Sequence, residues 1–206
     1  MTKRLRFWFL FILASVLASA AEPKTILFFG DSLTAGYGLD DPATEAFPGL
    51  IEARLKEAGL PYRVVNAGLS GETTAGGLRR VGWILRQPVD IFVLGLGGND
   101  GLRGVPVTAS KANLRGIIEK VRARNPQAKI VLSGMQMPPS LGPDYTKAFA
   151  AMYPEIADSM NATLIPFLLD GVGGVPTLNL PDGIHPNAEG HRKVAEVVWK
   201  TLQTLL

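Results

Sequence analysis

A chain of 206 residues, 47% hydrophobic and 19% charged, can build one domain around a sizeable core but not two comfortable ones. It has no cysteine and only two histidines, which excludes disulfides, a thiol nucleophile and a thiolate metal site and argues against zinc; no metal or cofactor is expected. Its net charge of +3 is owed to the first six residues.

Lys3, Arg4 and Arg6 open the chain, Phe7 to Leu17 is an apolar run, and Ala18-Ser19-Ala20 offers small residues of the kind a signal peptidase reads. Residues 1–20 are therefore expected to be a signal peptide and 21–206 a single domain, exported to a periplasm or secreted. The apolar run is shorter than the roughly 20 residues of a membrane-spanning helix, so no stable span is expected after cleavage. Without that segment, eighteen basic residues face eighteen acidic ones with no basic run of the kind that tracks phosphates, so no nucleic-acid partner is expected.

From there the chain alternates short apolar runs with amphipathic patterns. Strands are expected at Thr25–Phe29, Arg63–Asn66, Asp90–Leu96, Lys129–Ser133 and Thr163–Phe167, nearly all apolar as in strands covered on both faces. Between them, Ala46–Ala58 and Thr74–Arg86 are plausible helices. Leu114, Ile117, Ile118 and Val121 share one helical face, as do Val194, Val197, Val198, Leu202 and Leu205. Tyr145–Met160 is expected to be helical with an interruption before Pro154. Strand–helix alternation of this kind predicts a doubly wound α/β domain, with about five parallel strands and helices on both faces.

Ligands of such sheets bind beyond the carboxyl ends of the strands, and four loops there carry unusual residues. The first strand ends in Gly30-Asp31-Ser32-Leu33, and the second leads into Asn66-Ala67-Gly68-Leu69-Ser70-Gly71-Glu72-Thr73. The third meets Gly97-Gly98-Asn99-Asp100, and Asp182-Gly183-Ile184-His185-Pro186 precedes the last helix. A serine hydroxyl needs a base, which a histidine supplies near neutral pH, and an acid on the other ring nitrogen fixes the tautomer. Asp182 and His185, three residues apart, can supply both to Ser32 from one loop. Ser32 is not in a Gly-x-Ser-x-Gly elbow. Asp31 is expected to bond loop N–H groups, and His191 to be a packing or surface residue. Asp100 and Arg103 are expected either to pair locally under Asn99 or to stand as solvated charges.

With these blocks the chain resembles the GDSL, or SGNH, hydrolase family, named for Ser, Gly, Asn and His in four blocks. Those map onto Ser32, Gly68, Asn99 and His185. The stretch Leu96–Gly104 is similar to a bacterial periplasmic branch of acyl-thioesterases, lysophospholipases and arylesterases. The resemblance implies a three-layer, flavodoxin-like α/β/α fold and hydrolysis of aryl, acyl and thio esters through an acyl-enzyme. It makes Ser32 the nucleophile, His185 the base and Asp182 its orienting acid. The N–H groups of Ser32 and Gly68 and the Asn99 amide would form the oxyanion hole. A carbohydrate O-acetylesterase of the same fold is the alternative. The loops after the third and fourth strands are rich in apolar residues, and Leu102, Val105, Met137 and Leu141 are expected to border a groove for the acyl chain of a small or lipid-like ester.

Overall fold

The computed structural model describes residues 22–206, so the targeting segment expected over 1–20 lies outside the described residues. Five strands, β1 Lys24–Gly30, β2 Tyr62–Gly68, β3 Ile91–Gly95, β4 Lys129–Ser133 and β5 Thr163–Ile165, form one parallel sheet in the order β2-β1-β3-β4-β5. The chain winds outward from β1 to β2, then returns across β1 to β3 and on to β5. This reversal puts the switch point between β1 and β3, where open α/β sheets bind ligands. The last strand is shorter than its apolar run because Pro166 cannot donate to a ladder.

Among the described residues eight α-helices accompany the strands: α1 Ser32–Ala35, α2 Pro42–Glu45, α3 Phe47–Glu57, α4 Thr74–Ile84, α5 Gly98–Leu102, α6 Val107–Arg124, α7 Pro143–Ser159 and α8 Ala188–Leu202. Helices α3 and α8 pack together on one face, and α4, α6 and α7 on the other. The sheet core between them is continuous: Phe28 meets Phe47 edge-on at 5.5 Å, and Phe29 lies 5.6 Å from Phe92 on the opposite face. The short helices α1 and α5 were not legible in the sequence, where both stretches read as loops. Helix α7 corrects a second expectation, since it runs unbroken through Pro154. Proline removes the bond to the Ala150 carbonyl, but Pro154 is exposed, so that loss falls on the solvent side. Phe149, Met152, Tyr153 and Ile156 stay buried against the sheet.

At the carboxyl edge Gly30 stands in register with Gly68 on one side and Gly95 on the other. A Cβ at Gly68 would overlap the backbone of Ala35, so the missing side chain is what lets α1 lie back across the sheet edge.

His191, on α8, is a packing residue with one polar task. Helix α3 has no side-chain cap of its own; the Phe47 N–H donates instead to His191 Nδ1 at 3.2 Å, and the two rings stack. Burial, with the charge of His185, lowers the His191 pKa from 6.5 to about 4. The unfolded chain then takes up a proton between those values that the folded one refuses, so this contribution is complete above pH 6.5 and lost as pH falls toward 4. His191→Leu should cost about 1–3 kcal/mol at pH 7, the scale of a buried donor left unpaired. In urea unfolding that deficit should shrink at pH 4.5; an equal deficit at both pH values would rule out a neutral, accepting imidazole.

Candidate active site

The strand-to-helix junction after β1 fixes Ser32. Asp31 caps α1, its carboxylate accepting the Leu33 N–H at 3.1 Å, and Ser32 is the first helical residue. Across the edge, Asp182 folds its own loop: Oδ1 accepts the N–H groups of Ile184 at 2.9 Å and His185 at 3.0 Å. Leu180 N–H donates to the His185 carbonyl at 2.7 Å, and Asn187 N–H to that of Leu178 at 3.0 Å, which pins the loop to the start of α8.

These two anchored segments bring three side chains into line. Asp182 Oδ2 lies 2.6 Å from His185 Nδ1, and His185 Nε2 lies 2.8 Å from Ser32 Oγ. Desolvation pushes the Asp182 carboxyl up, but the two N–H bonds and the His185 ring outweigh it and bring it down to about 2. An ionised carboxylate only accepts, so Nδ1 carries the imidazole proton and Nε2 is left to accept from Ser32. The Tyr37 ring packs beside the imidazole at 4.7 Å.

Asn99 stands opposite, on α5, with its Nδ2 donating to the Glu72 carbonyl at 3.1 Å and its side chain on the cavity wall. Gly68 does not join it. Leu69 N–H donates to Gly30 O, so the preceding N–H, that of Gly68, points away from β1 and donates to Asn66 Oδ1 at 3.0 Å. In the same turn, Gly71 has a φ of 80°, and its N–H meets no acceptor among the described residues. Nor do Asp100 and Arg103 form the expected local pair. Asp100 is buried and accepts from Thr74 N–H at 2.8 Å, Thr74 Oγ1 at 2.6 Å and Ser110 Oγ at 3.2 Å, while Arg103 donates to the Gly71 carbonyl at 3.3 Å.

From Ser32, Asn99 and His185 a cavity of about 610 Å³ opens toward the β4 and β5 loops. Leu102, Met135, Met137, Pro138, Phe167 and Leu169 give it an apolar wall. Leu102 and Met137 are where the sequence put them. Val105 and Leu141 stay outside the wall, and the loop after β5 supplies Phe167 and Leu169 instead.

Burial pushes the Asp31 carboxyl up to about 6, against the pull of the Leu33 N–H and of the charge on His185. Its ordinary value is 3.8, so folding takes up a proton between those two values. Its stability contribution is complete below 3.8 and lost as pH rises through about 6. Asparagine caps a helix as well as aspartate without the buried charge. Asp31→Asn should therefore stabilise the fold by up to about 3 kcal/mol at pH 7.5 and by little at pH 4. Urea unfolding at both values checks this, and an equal gain at both would refute the burial argument.

The GDSL-like lipase/acylhydrolase family matches residues 28–193. The chain is 42% identical over 192 residues to the esterase TesA of Pseudomonas aeruginosa, covering 93% of this chain and 94% of that one. With the thioesterase 1/protease 1/lysophospholipase L1 of Escherichia coli it shares 37% identity over 199 residues, 96% of this chain and 92% of the relative. The crystal structure of the psychrotrophic esterase EstA from Pseudoalteromonas sp., inhibited by monoethylphosphonate, superposes with a TM-score of 0.82 at 32% identity, covering 88% of this chain and 97% of the other. This chain belongs to the GDSL-like lipase/acylhydrolase family.

Proposed function

We propose that this protein hydrolyses carboxylic esters and thioesters of apolar acyl groups through an acyl-enzyme formed on Ser32. The observation that carries the reading is the line from Asp182 through His185 to Ser32 Oγ, opening on an apolar cavity. As Ser32 Oγ bonds to the acyl carbon, its proton passes to His185 Nε2 and the carbonyl electrons move onto oxygen. Collapse of that intermediate breaks the bond to the leaving oxygen or sulfur, which takes the proton from His185. Water then repeats the sequence on the acyl-enzyme and releases the acid. Asp182 steadies the imidazolium in both halves.

The negative oxygen is met, in this reading, by the Ser32 N–H, the Asn99 amide and the Gly71 N–H. Gly71 replaces Gly68 because its donor is free. These groups need no reorganisation when charge appears. Relatives named for ester, thioester and lysophospholipid cleavage support the reaction class. Nothing in the wide apolar wall favours the acetylated-sugar alternative. The basic, apolar and small-residue pattern over residues 1–20 supports export, to a periplasm or beyond the cell. Among the described residues no helix is long and apolar enough to cross a membrane.

A fluorophosphonate should label the protein once, at Ser32, and Ser32→Ala should lower kcat at least about 10⁴-fold while leaving substrate binding nearly intact. Labelling of Ser70 or Ser133 instead would overturn the assignment. The cavity sets a second expectation, read from p-nitrophenyl esters of increasing length. A fully buried methylene is worth about 0.8 kcal/mol, or roughly fourfold in kcat/KM where the transition state shares it. Specificity should climb from acetyl toward medium chains and then level. Leu102→Ser should flatten that climb and Leu141→Ser should not; a steady fall from acetyl onward would remove the acyl site.

A further inference from the structure

We infer that the Arg80–Glu72 ion pair is a positioning element for catalysis, holding the turn 67–73 so that the Asn99 amide and the Gly71 N–H face the developing oxyanion. The inference rests on the oxyanion reading given above.

Neither residue touches the cavity. Glu72 is buried and Arg80 three-quarters so, with Arg80 Nε donating to Glu72 Oε2 at 2.6 Å. The same guanidinium donates through Nη2 to the Ala67 carbonyl at 3.0 Å, and its carbon lies 4.3 Å from the centre of the Phe29 ring on β1. One planar group therefore grips both ends of the turn and braces them on the strand that leads to Ser32. A guanidinium can do this because its donors diverge from a rigid plane; a lysine ammonium offers one point of attachment. Between those ends, Glu72 N–H donates to Leu69 O at 3.0 Å, and the Glu72 carbonyl is the acceptor that holds Asn99 Nδ2. The residue that orients the amide is thus the residue whose carboxylate Arg80 holds.

Helix α4 carries an independent trace of this arrangement. Glycine in a helix is unfavourable relative to alanine, yet Gly76 sits in its first turn. A Cβ there would overlap Glu72 Oε1. The helix leaves out a side chain where the carboxylate lies. An ion pair taken out of water gains little stability over apolar packing of the same volume, so stability alone gives no reason for this one.

The test is a double-mutant cycle with Asn99→Ala, following kcat and KM on one medium-chain ester and Tm for every variant. Asn99→Ala alone should lower kcat roughly 10²–10³-fold, the usual scale for one oxyanion donor. Arg80→Met should lower kcat about tenfold to a hundredfold with KM within about twofold, as for a small misplacement of a catalytic donor. In the Asn99→Ala background the same change should cost several-fold less than in the wild type, because one of the two donors it positions is gone and only the Gly71 N–H is left to misplace. Arg80→Lys should recover only part of the loss. Gly76→Ala raises helix propensity and leaves both charges in place, yet crowds the carboxylate. It should fold with a smaller loss of Tm than Arg80→Met, since both charges remain, and still reproduce the kcat loss, which covers the case in which Arg80→Met fails to fold. A full-sized Arg80 or Gly76 effect in the Asn99→Ala background, or a rise in KM with kcat unchanged, would overturn the positioning role while leaving the hole intact. Full kcat in Asn99→Ala itself would remove the hole, and the positioning role with it.

Discussion

The site hangs on the end of β1. Its last residue, Gly30, is flanked in register by Gly68 and Gly95, so three neighbouring strands finish without side chains at the same level. Into the space this leaves, the chain turns directly from strand to helix. Asp31 closes the turn by capping α1, and Ser32 emerges at the switch point with the β3 loop beside it. Winding outward to β2 first and returning to β3 afterwards is what places Asn99 next to Ser32 while the two lie far apart in sequence. A side chain at residue 68 would push α1 off the edge, and with it the serine.

Three acids crowd this edge, and their surroundings give them separate work. Asp182 is exposed and accepts two N–H groups and an imidazole N–H, so it keeps its charge well into acid. Asp31 is buried with few donors and resists ionisation up to about pH 6. Asp100 is as deeply buried, but Thr74 and Ser110 give it three donors, and it ties α4 and α6 to the short helix bearing Asn99. On α8, His191 is kept neutral to accept a helix N–H. Between about pH 4 and 6 its contribution to stability rises with pH while that of Asp31 falls. Each therefore masks the other, and the slopes emerge only when one residue is replaced.

What could be read from the sequence was whatever periodicity or residue chemistry marks locally. The five strands, the faces of α6 and α8, and the Ser32, Asn99, Asp182 and His185 blocks all leave such marks. Two kinds of information do not. One is the parity of a strand: Gly68 and Gly71 are equally good glycines on paper, and only the bond from Leu69 N–H to Gly30 O shows which way the Gly68 N–H points. The other is contact across elements. Phe167 and Leu169 follow a strand without any pattern that aims them at Ser32, and Arg80 reads as an ordinary helix surface charge until Ala67, Glu72 and Phe29 are seen around it. Pro154 shows the converse, a local breaker overruled because its cost falls toward solvent and four buried neighbours hold the helix straight on.

The distribution of these parts over the sheet has a consequence for how the enzyme can vary. The groups proposed to stabilise charge sit on the β1, β2 and β3 side, where Glu72, Arg80, Thr74 and Asp100 lock them together through buried and part-buried polar bonds. Such bonds tolerate little change, since each broken one leaves a desolvated partner behind. The apolar wall comes chiefly from the loops after β4 and β5, where Met137 and Phe167 meet the cavity through dispersion and burial alone. Exchanging one apolar side chain for another there alters volume and costs little. His185 and Asp182 also arrive on the β5 side, but their loop is fixed by its own backbone bonds to Leu178 and Leu180 rather than by the wall. Under the proposed mechanism, the acyl group accepted can therefore shift through wall substitutions while the barrier to attack, set on the opposite side of Ser32, stays where it is.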